Sequence, residues 1–158
     1  MKKLKLYLDT SIISYLDQQD SPEKMEETHR FWDQLKDGVY SVVLSDVDII
    51  EIDSCEEEKR NKLKNYLKDI EYELIKSEPK AVDIASRIVD LGILKQKSFD
   101  DCRHIANAIV SGCDAIVSWN FKHIVNHKTM IGIKAVTALE GYSDLLYIPA
   151  KPNRRRIK

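Results

Sequence analysis

Lys5-Leu6-Tyr7-Leu8-Asp9-Thr10-Ser11-Ile12-Ile13-Ser14 is the stretch on which the fold turns. It reads as a short apolar strand that ends in a carboxylate and passes at once into a helix. An aspartate at the exit of a central strand has apolar neighbours, and its charge is costly there unless something offsets it. Two offsets are open at this point: a helix cap and a metal ion.

Working outward, Ser11 to Leu16 reads as a short helix and Gln18 to Pro22 as a loop. Ser21-Pro22-Glu23 is a helix start, with a capping serine, proline in the first turn and acids behind it. That helix runs to about Lys36, with Phe31, Trp32 and Leu35 on its apolar side, and stops near Gly38. Tyr40 to Leu44 is β-branched and apolar and reads as the second strand. Ser45 caps a helix carrying Val47, Ile50, Glu51 and Cys55, and Glu57 to Ile70 forms another. Tyr72 to Ile75 is a short third strand. Pro79 opens a helix that ends near Gly92. Ser98 starts a helix that Gly112 closes. Asp114 to Ser118 is the fourth strand, Ala135 to Leu139 a short helical turn, and Leu145 to Ile148 the fifth strand.

Strands alternating with helices predict a parallel sheet covered on both faces. The expected fold class is therefore α/β, one domain over residues 1–150, with a central parallel sheet of about five strands flanked by helices on both faces. Residues 151–158 are basic and read as a disordered tail, with Arg154-Arg155-Arg156 taken as inert.

Composition bounds the function. The chain has 158 residues, 43% of them hydrophobic, enough for one real core. Its net charge of −1 gives no global electrostatic case for a nucleic-acid or membrane partner, so any polyanion site must be local or use bound cations. Cys55, Cys102 and Cys113 show no Cys-x-x-Cys pairing and read as buried free thiols of a reducing compartment. Met1-Lys2-Lys3 leads into too few apolar residues for a signal peptide. No apolar run approaches the roughly 20 residues that span a bilayer. The expectation is a cytoplasmic protein with no membrane partner.

In open α/β sheets, ligands gather at the carboxyl ends of the strands, near the switch in strand order. Asp9 follows strand one, and Glu51 lies two turns into the helix after strand two. Asp101 opens the helix before strand four, and Asn120 follows that strand. If strands one, two and four are neighbours, these side chains converge. At about 100° per residue, Arg103, His104, Asn107 and Ser111 form one polar arc with Asp100 in its middle, whereas Asp101 falls at the edge of the opposite arc, beside Ile105 and Ala108. Asp101 is thus the aspartate turned to the core. Glu51 shares a face with Val47 and Cys55, but Asp48 and Asp53 are rivals that the ragged periodicity there does not exclude.

Carboxylates packed together cannot all stay ionised unaided. An all-oxygen site suits Mg²⁺ or Mn²⁺, and zinc fits less well because the histidines show no ligand spacing with the cysteines. Such a site can polarise a phosphoryl oxygen and generate hydroxide from water, chemistry suited to phosphodiester hydrolysis.

The ordered set Leu8-Asp9-Thr10-Ser11, Ser45 with Glu51, Asp101-Cys102-Arg103-His104-Ile105-Ala106-Asn107-Ala108 and Ser118-Trp119-Asn120-Phe121-Lys122-His123-Ile124 resembles the PIN-domain ribonucleases. It looks closest to the VapC-type toxins of type II toxin–antitoxin pairs. The resemblance spans Leu4 to Pro149. It implies a PIN-like nuclease domain whose acids Asp9, Glu51 and Asp101 bind Mg²⁺ or Mn²⁺, and an endoribonuclease that hydrolyses RNA with metal-activated water. It also implies a cognate antitoxin and a homodimer. The sequence departs at the fourth catalytic place, where Asn120 stands for an aspartate. That asparagine motivates the alternative of a catalytically weak or silent PIN-like module that binds RNA or a protein. A phosphatase of the haloacid-dehalogenase type would need Asp-x-Asp after strand one, and Ser11 occupies the second place.

Thr10 and Ser118 are candidate hydroxyls for orienting a carboxylate or a water, or else cap a helix and a strand end. Arg103, Lys122, His123, Lys95 and Lys97 are candidate RNA-backbone contacts. His104 and His123 read as solvated surface histidines, and Trp119 as a core or interface residue.

Overall fold

The computed structural model describes residues 2–149. The basic tail and its expected disorder lie outside the described residues.

The strands are β1 (Lys5–Leu8), β2 (Ser41–Ser45), β3 (Glu73–Ile75), β4 (Ala115–Ser118) and β5 (Leu146–Pro149). They form one five-stranded sheet in the order β3-β2-β1-β4-β5, with every pairing parallel. The chain steps outward from β1 through β2 to β3, then crosses back to β4 and β5. The order therefore reverses between β1 and β4, the switch point at whose carboxyl ends open α/β sheets bind ligands. As expected, strands one, two and four are neighbours.

The alternation of side chains along each strand divides the core in two. Leu6, Leu8, Val42, Leu44, Ala115 and Val117 face one side. There they meet Ile12 and Ile13 of α1 (Thr10–Ser14), Phe31, Trp32 and Leu35 of α2 (Pro22–Lys36), and Leu63 and Leu67 of α4 (Glu57–Leu67). Tyr7, Val43 and Ile116 face the other side. They pack on Ile84, Ala85 and Ile88 of α5 (Pro79–Asp90), Ile105, Ala106 and Ile109 of α6 (Phe99–Val110), and Ile133 and Val136 of α7 (His127–Glu140). The last helix, α3 (Asp46–Asp53), follows β2 directly. All three cysteines are free; Cys102 and Cys113 are buried, whereas Cys55 is only half-buried.

Several expectations need correction. The helical turn at Ala135 to Leu139 is the end of a full helix. Asn126 caps α7 by accepting the Thr129 N–H, and Gly141 closes it at φ 77°. Its β-branched residues and Gly132 hide it from a propensity reading. Gly132 has a packing reason to be there, because a Cβ would lie 2.6 Å from a side-chain carbon of Ile93. Ser21 and Ser98 precede helices but make no side-chain capping bond, whereas Ser45 does cap α3.

Trp119 is a core residue. It is 5% exposed, stacks on Tyr15 and donates its indole N–H to Thr28 Oγ1 at 2.8 Å. That bond ties α2 to the segment following β4. Replacing the hydroxyl by a methyl leaves a buried indole N–H without an acceptor, a cost of about 1–3 kcal/mol. Thr28→Val is therefore expected to lower the urea-unfolding free energy by that amount at unchanged core volume.

Candidate active site

Asp9 is placed by two local decisions. β1 ends at Leu8, and α1 starts at Thr10, so Asp9 is the cap between them. Its Oδ1 accepts the Ser11 N–H at 2.9 Å and the Ser11 hydroxyl, and its Oδ2 accepts the Ser118 hydroxyl at 2.7 Å. Ser118 is the last residue of β4, so this bond closes across the reversal in strand order. Asp9 is 3% exposed, and burial lifts its pKa above the ordinary value despite the charge of His104 and the hydroxyls of Ser11 and Ser118. The helix cap is real, and it leaves the charge only partly compensated.

The helix after β2 contributes two acids. Asp48 and Ser45 form a capping box. The Ser45 side chain accepts from Val47 N at 3.2 Å, and Asp48 Oδ2 accepts from Ser45 N at 3.0 Å. One turn on, Glu51 Oε1 accepts from Thr10 Oγ1 at 2.7 Å and lies 2.5 Å from His104 Nε2. The rivalry between Glu51 and its neighbours resolves into two roles. Glu51 is half-buried at the site, Asp48 is wholly buried beside it, and Asp53 pairs with Lys64 on the surface.

His104 is the residue that sequence reasoning misplaced. It is 2% exposed, not solvated. Its Nδ1 lies 2.7 Å from the Tyr7 hydroxyl, which in turn lies 2.6 Å from Ser45 Oγ. Beyond Asp100, which is exposed, its polar arc is covered, and at His104 and Asn107 it is buried. Asn107, three residues on, is buried and donates to Ser77 Oγ, which donates to Asp46. A histidine between a tyrosine on β1 and a glutamate on α3 can be found only once the two elements are known to meet over α6.

Electrostatics divide the site. Burial pushes His104 down, but Asp48, its bond to Glu51 and the charge of Asp9 more than offset this and raise its pKa to about 9. Burial raises Asp48 to about 7 in spite of that imidazolium. Glu51 is half-buried, yet its bond to His104, with Thr10, holds it below the ordinary carboxylate value. The proton count agrees. The Thr10 hydroxyl has one hydrogen and two carboxylate neighbours, Glu51 at 2.7 Å and Asp48 at 3.0 Å, and a proton on Asp48 satisfies both contacts.

Asp101 lies in the first turn of α6, turned to the site, while Asp100 faces solvent beside Arg103. Burial raises the Asp101 pKa against the bond from His123, and the charge of Asp9 adds to the rise. His123 Nδ1 lies 3.0 Å from its Oδ2. Asn120 Nδ2 donates to its Oδ1 at 3.3 Å, and Asn120 Oδ1 accepts the His123 N–H at 2.9 Å. That backbone N–H fixes the amide's orientation, so Asn120 offers Asp101 a donor while one lone pair of its oxygen is taken. His123 is half-buried and belongs to the site. Lys122, Lys95 and Lys97 are exposed, and Arg103 exerts its charge on Glu51 and Asp46.

The donor set suits a hard divalent cation in composition. Among the described residues no three of these side chains are placed to close on one ion. Mg²⁺ does not need such a cage; one or two carboxylates with waters and substrate phosphate suffice. Asp9 and Asp101 are the pair that fits, since burial leaves both charges short of compensation.

No family model matches this sequence, and no curated protein matches it. Among solved structures, the chain is similar to the crystal structure of VapBC2 from Rickettsia felis bound to a DNA fragment from their promoter. The TM-score is 0.56 over 92% of this chain and 98% of that one, at 13% sequence identity. The fold is PIN-like. Among the described residues no helix is long and apolar enough to cross a membrane.

A histidine with a raised folded-state pKa stabilises the protein fully below its unfolded value, near 6.5, and loses that contribution as pH climbs through about 9. Asp48, also raised, adds a loss that is complete above about 7. Between pH 7 and 9 the His104 contribution amounts to a fall of at most about 3 kcal/mol, to which the raised Asp9, Asp101, Cys102 and Cys113 can only add. Urea unfolding in EDTA is expected to show this fall in the native protein, and His104→Asn, which strands the acids that draw on the imidazolium, is expected to be less stable already at pH 6.

Proposed function

We propose that the protein is a metal-dependent endoribonuclease that hydrolyses RNA phosphodiester bonds with a Mg²⁺- or Mn²⁺-activated water. The observation that carries this reading is the pair Asp9 and Asp101, one carboxylate buried and one half-buried, at the switch point of a parallel sheet. Burial outweighs the hydrogen bonds each receives. When bound, a divalent cation there would supply a polarised phosphoryl oxygen and a water of lowered pKa.

The chain's own residues do the rest. Ser11 and Ser118 hold both oxygens of Asp9 in one rotamer. Asn120 and His123 do the same for Asp101. Thr10 and His104 fix Glu51 beside this pair, and His104 keeps it ionised. Asn120 is the fourth member and orients Asp101 through its amide N–H, with its own oxygen held towards His123 N–H. The resemblance in sequence and the shared fold further support a toxin of the VapC type, with a small antitoxin protein as partner, a homodimeric state and a cytoplasmic setting.

The test is cleavage of a single-stranded RNA by purified protein in Mn²⁺ and in EDTA. Native protein is expected to cut only with the metal. Asp9→Asn and Asp101→Asn should each lower the rate about 100-fold or more. Cleavage at equal rates by native protein and both variants overturns the proposal. If none of the three cuts the RNA while native protein still binds it, the silent RNA-binding module is the better description.

A further inference from the structure

Four side chains form a cluster that the acid site does not use. The Lys24 ammonium lies 5.5 Å from the Trp119 ring centroid and 5.9 Å from those of Tyr15 and Phe121. Tyr15 stacks on Trp119 at 5.6 Å, and Phe121 meets Trp119 edge-on at 5.9 Å. Core packing accounts for Trp119 and for most of Tyr15. It does not account for Phe121, whose ring is 40% exposed beside a cation.

The cluster hangs on the peptides that build the acid site. Trp119 N donates to Ser11 Oγ and Asn120 N donates to Ser118 Oγ, and both hydroxyls donate in turn to Asp9. Phe121 follows directly, with its N–H on the Trp119 carbonyl at 3.0 Å. On the other side, Thr28 accepts from the Trp119 indole and donates to the Lys24 carbonyl at 2.6 Å, so the lysine's backbone is tied to the same ring. An aromatic face is thus held rigidly next to Asp9, with Lys24 against it and exposed Lys122 next in sequence.

An exposed ring with a lysine ammonium against it, and a second exposed lysine next in sequence, suits an unpaired base attached to a phosphate chain. The ring takes the π-face and the lysines take the anion. We propose that Phe121, backed by Trp119 and Tyr15 and flanked by Lys24, is a stacking subsite for an unpaired base of single-stranded RNA next to the bond held at Asp9. This rests on the nuclease reading for its substrate, but binding tests it without catalysis.

The experiment is fluorescence anisotropy of a dye-labelled single-stranded RNA hexamer in EDTA, with native protein, Phe121→Ala, Phe121→Tyr and Lys24→Gln. Stacking on one side chain is worth roughly 1–3 kcal/mol, which corresponds to about 5- to 150-fold in Kd. Phe121→Ala should weaken binding within that range, Phe121→Tyr should retain it, and Lys24→Gln should weaken it and flatten the salt dependence. A duplex of the same sequence should bind the native protein no better than the hexamer binds Phe121→Ala. Unchanged hexamer affinity in Phe121→Ala, with a native-like thermal melt, overturns the subsite even if cleavage persists. So does a variant that keeps RNA affinity but loses a protein partner. Loss of binding in Phe121→Ala, with no Mn²⁺-dependent cleavage by native protein, upholds the subsite and discards the nuclease.

Discussion

One buried imidazole sits among carboxylates that could not otherwise share the end of this sheet. Asp9 and Asp48 are almost wholly out of water, and Glu51 and Asp101 are half-buried. His104 is the cation on which all four draw. Removing one partner from a buried ion pair typically costs about 3–5 kcal/mol, because the other charge is stranded. The arrangement therefore depends on α6 packing against β1 and α3 closely enough to bring His104 between Tyr7 and Glu51.

That single cation does not serve the acids equally. Glu51 has its full partnership, through His104 and the Thr10 hydroxyl. Asp48 is raised by burial to about 7. Asp9 and Asp101 receive hydroxyl, amide and imidazole contacts that position them, yet burial still prevails. The result is a compensated half on the α3 side and an uncompensated half between β1 and the start of α6. A divalent cation has most to gain in the second half, and the count of acids alone would not reveal this. Asn120 fits the same picture. It adds no negative charge and aims an N–H at Asp101, which avoids further repulsion there.

Much of this was legible in the sequence. The five strands follow from short β-branched runs bounded by helix starts and glycines, and their parallel order follows from alternation. Asp9 stood out as an acid at a strand exit, and Asp101 was separated from Asp100 by helical phase alone. What stayed hidden depended on tertiary context. His104 lies on a polar arc, and a helix wheel assigns a polar arc to water. Here that arc faces α3 and the segment before α5. Asp48 was a rival of Glu51 until the capping box with Ser45 fixed its direction. The helix at His127 to Glu140 was shortened because β-branched residues and Gly132 weaken its propensity, while its packing against Ile93 cannot be read locally. Phe121 drew no attention, since an exposed aromatic matters only when its neighbours are known.

The central claim is that the open charges are those of Asp9 and Asp101, with Glu51 already matched by His104. Calorimetric titration of Mn²⁺ into native protein, Asp9→Asn, Asp101→Asn and Glu51→Gln tests it directly. The account predicts that binding is lost in the two aspartate variants and only weakened in Glu51→Gln. Loss of binding in Glu51→Gln with retention in Asp101→Asn would contradict it.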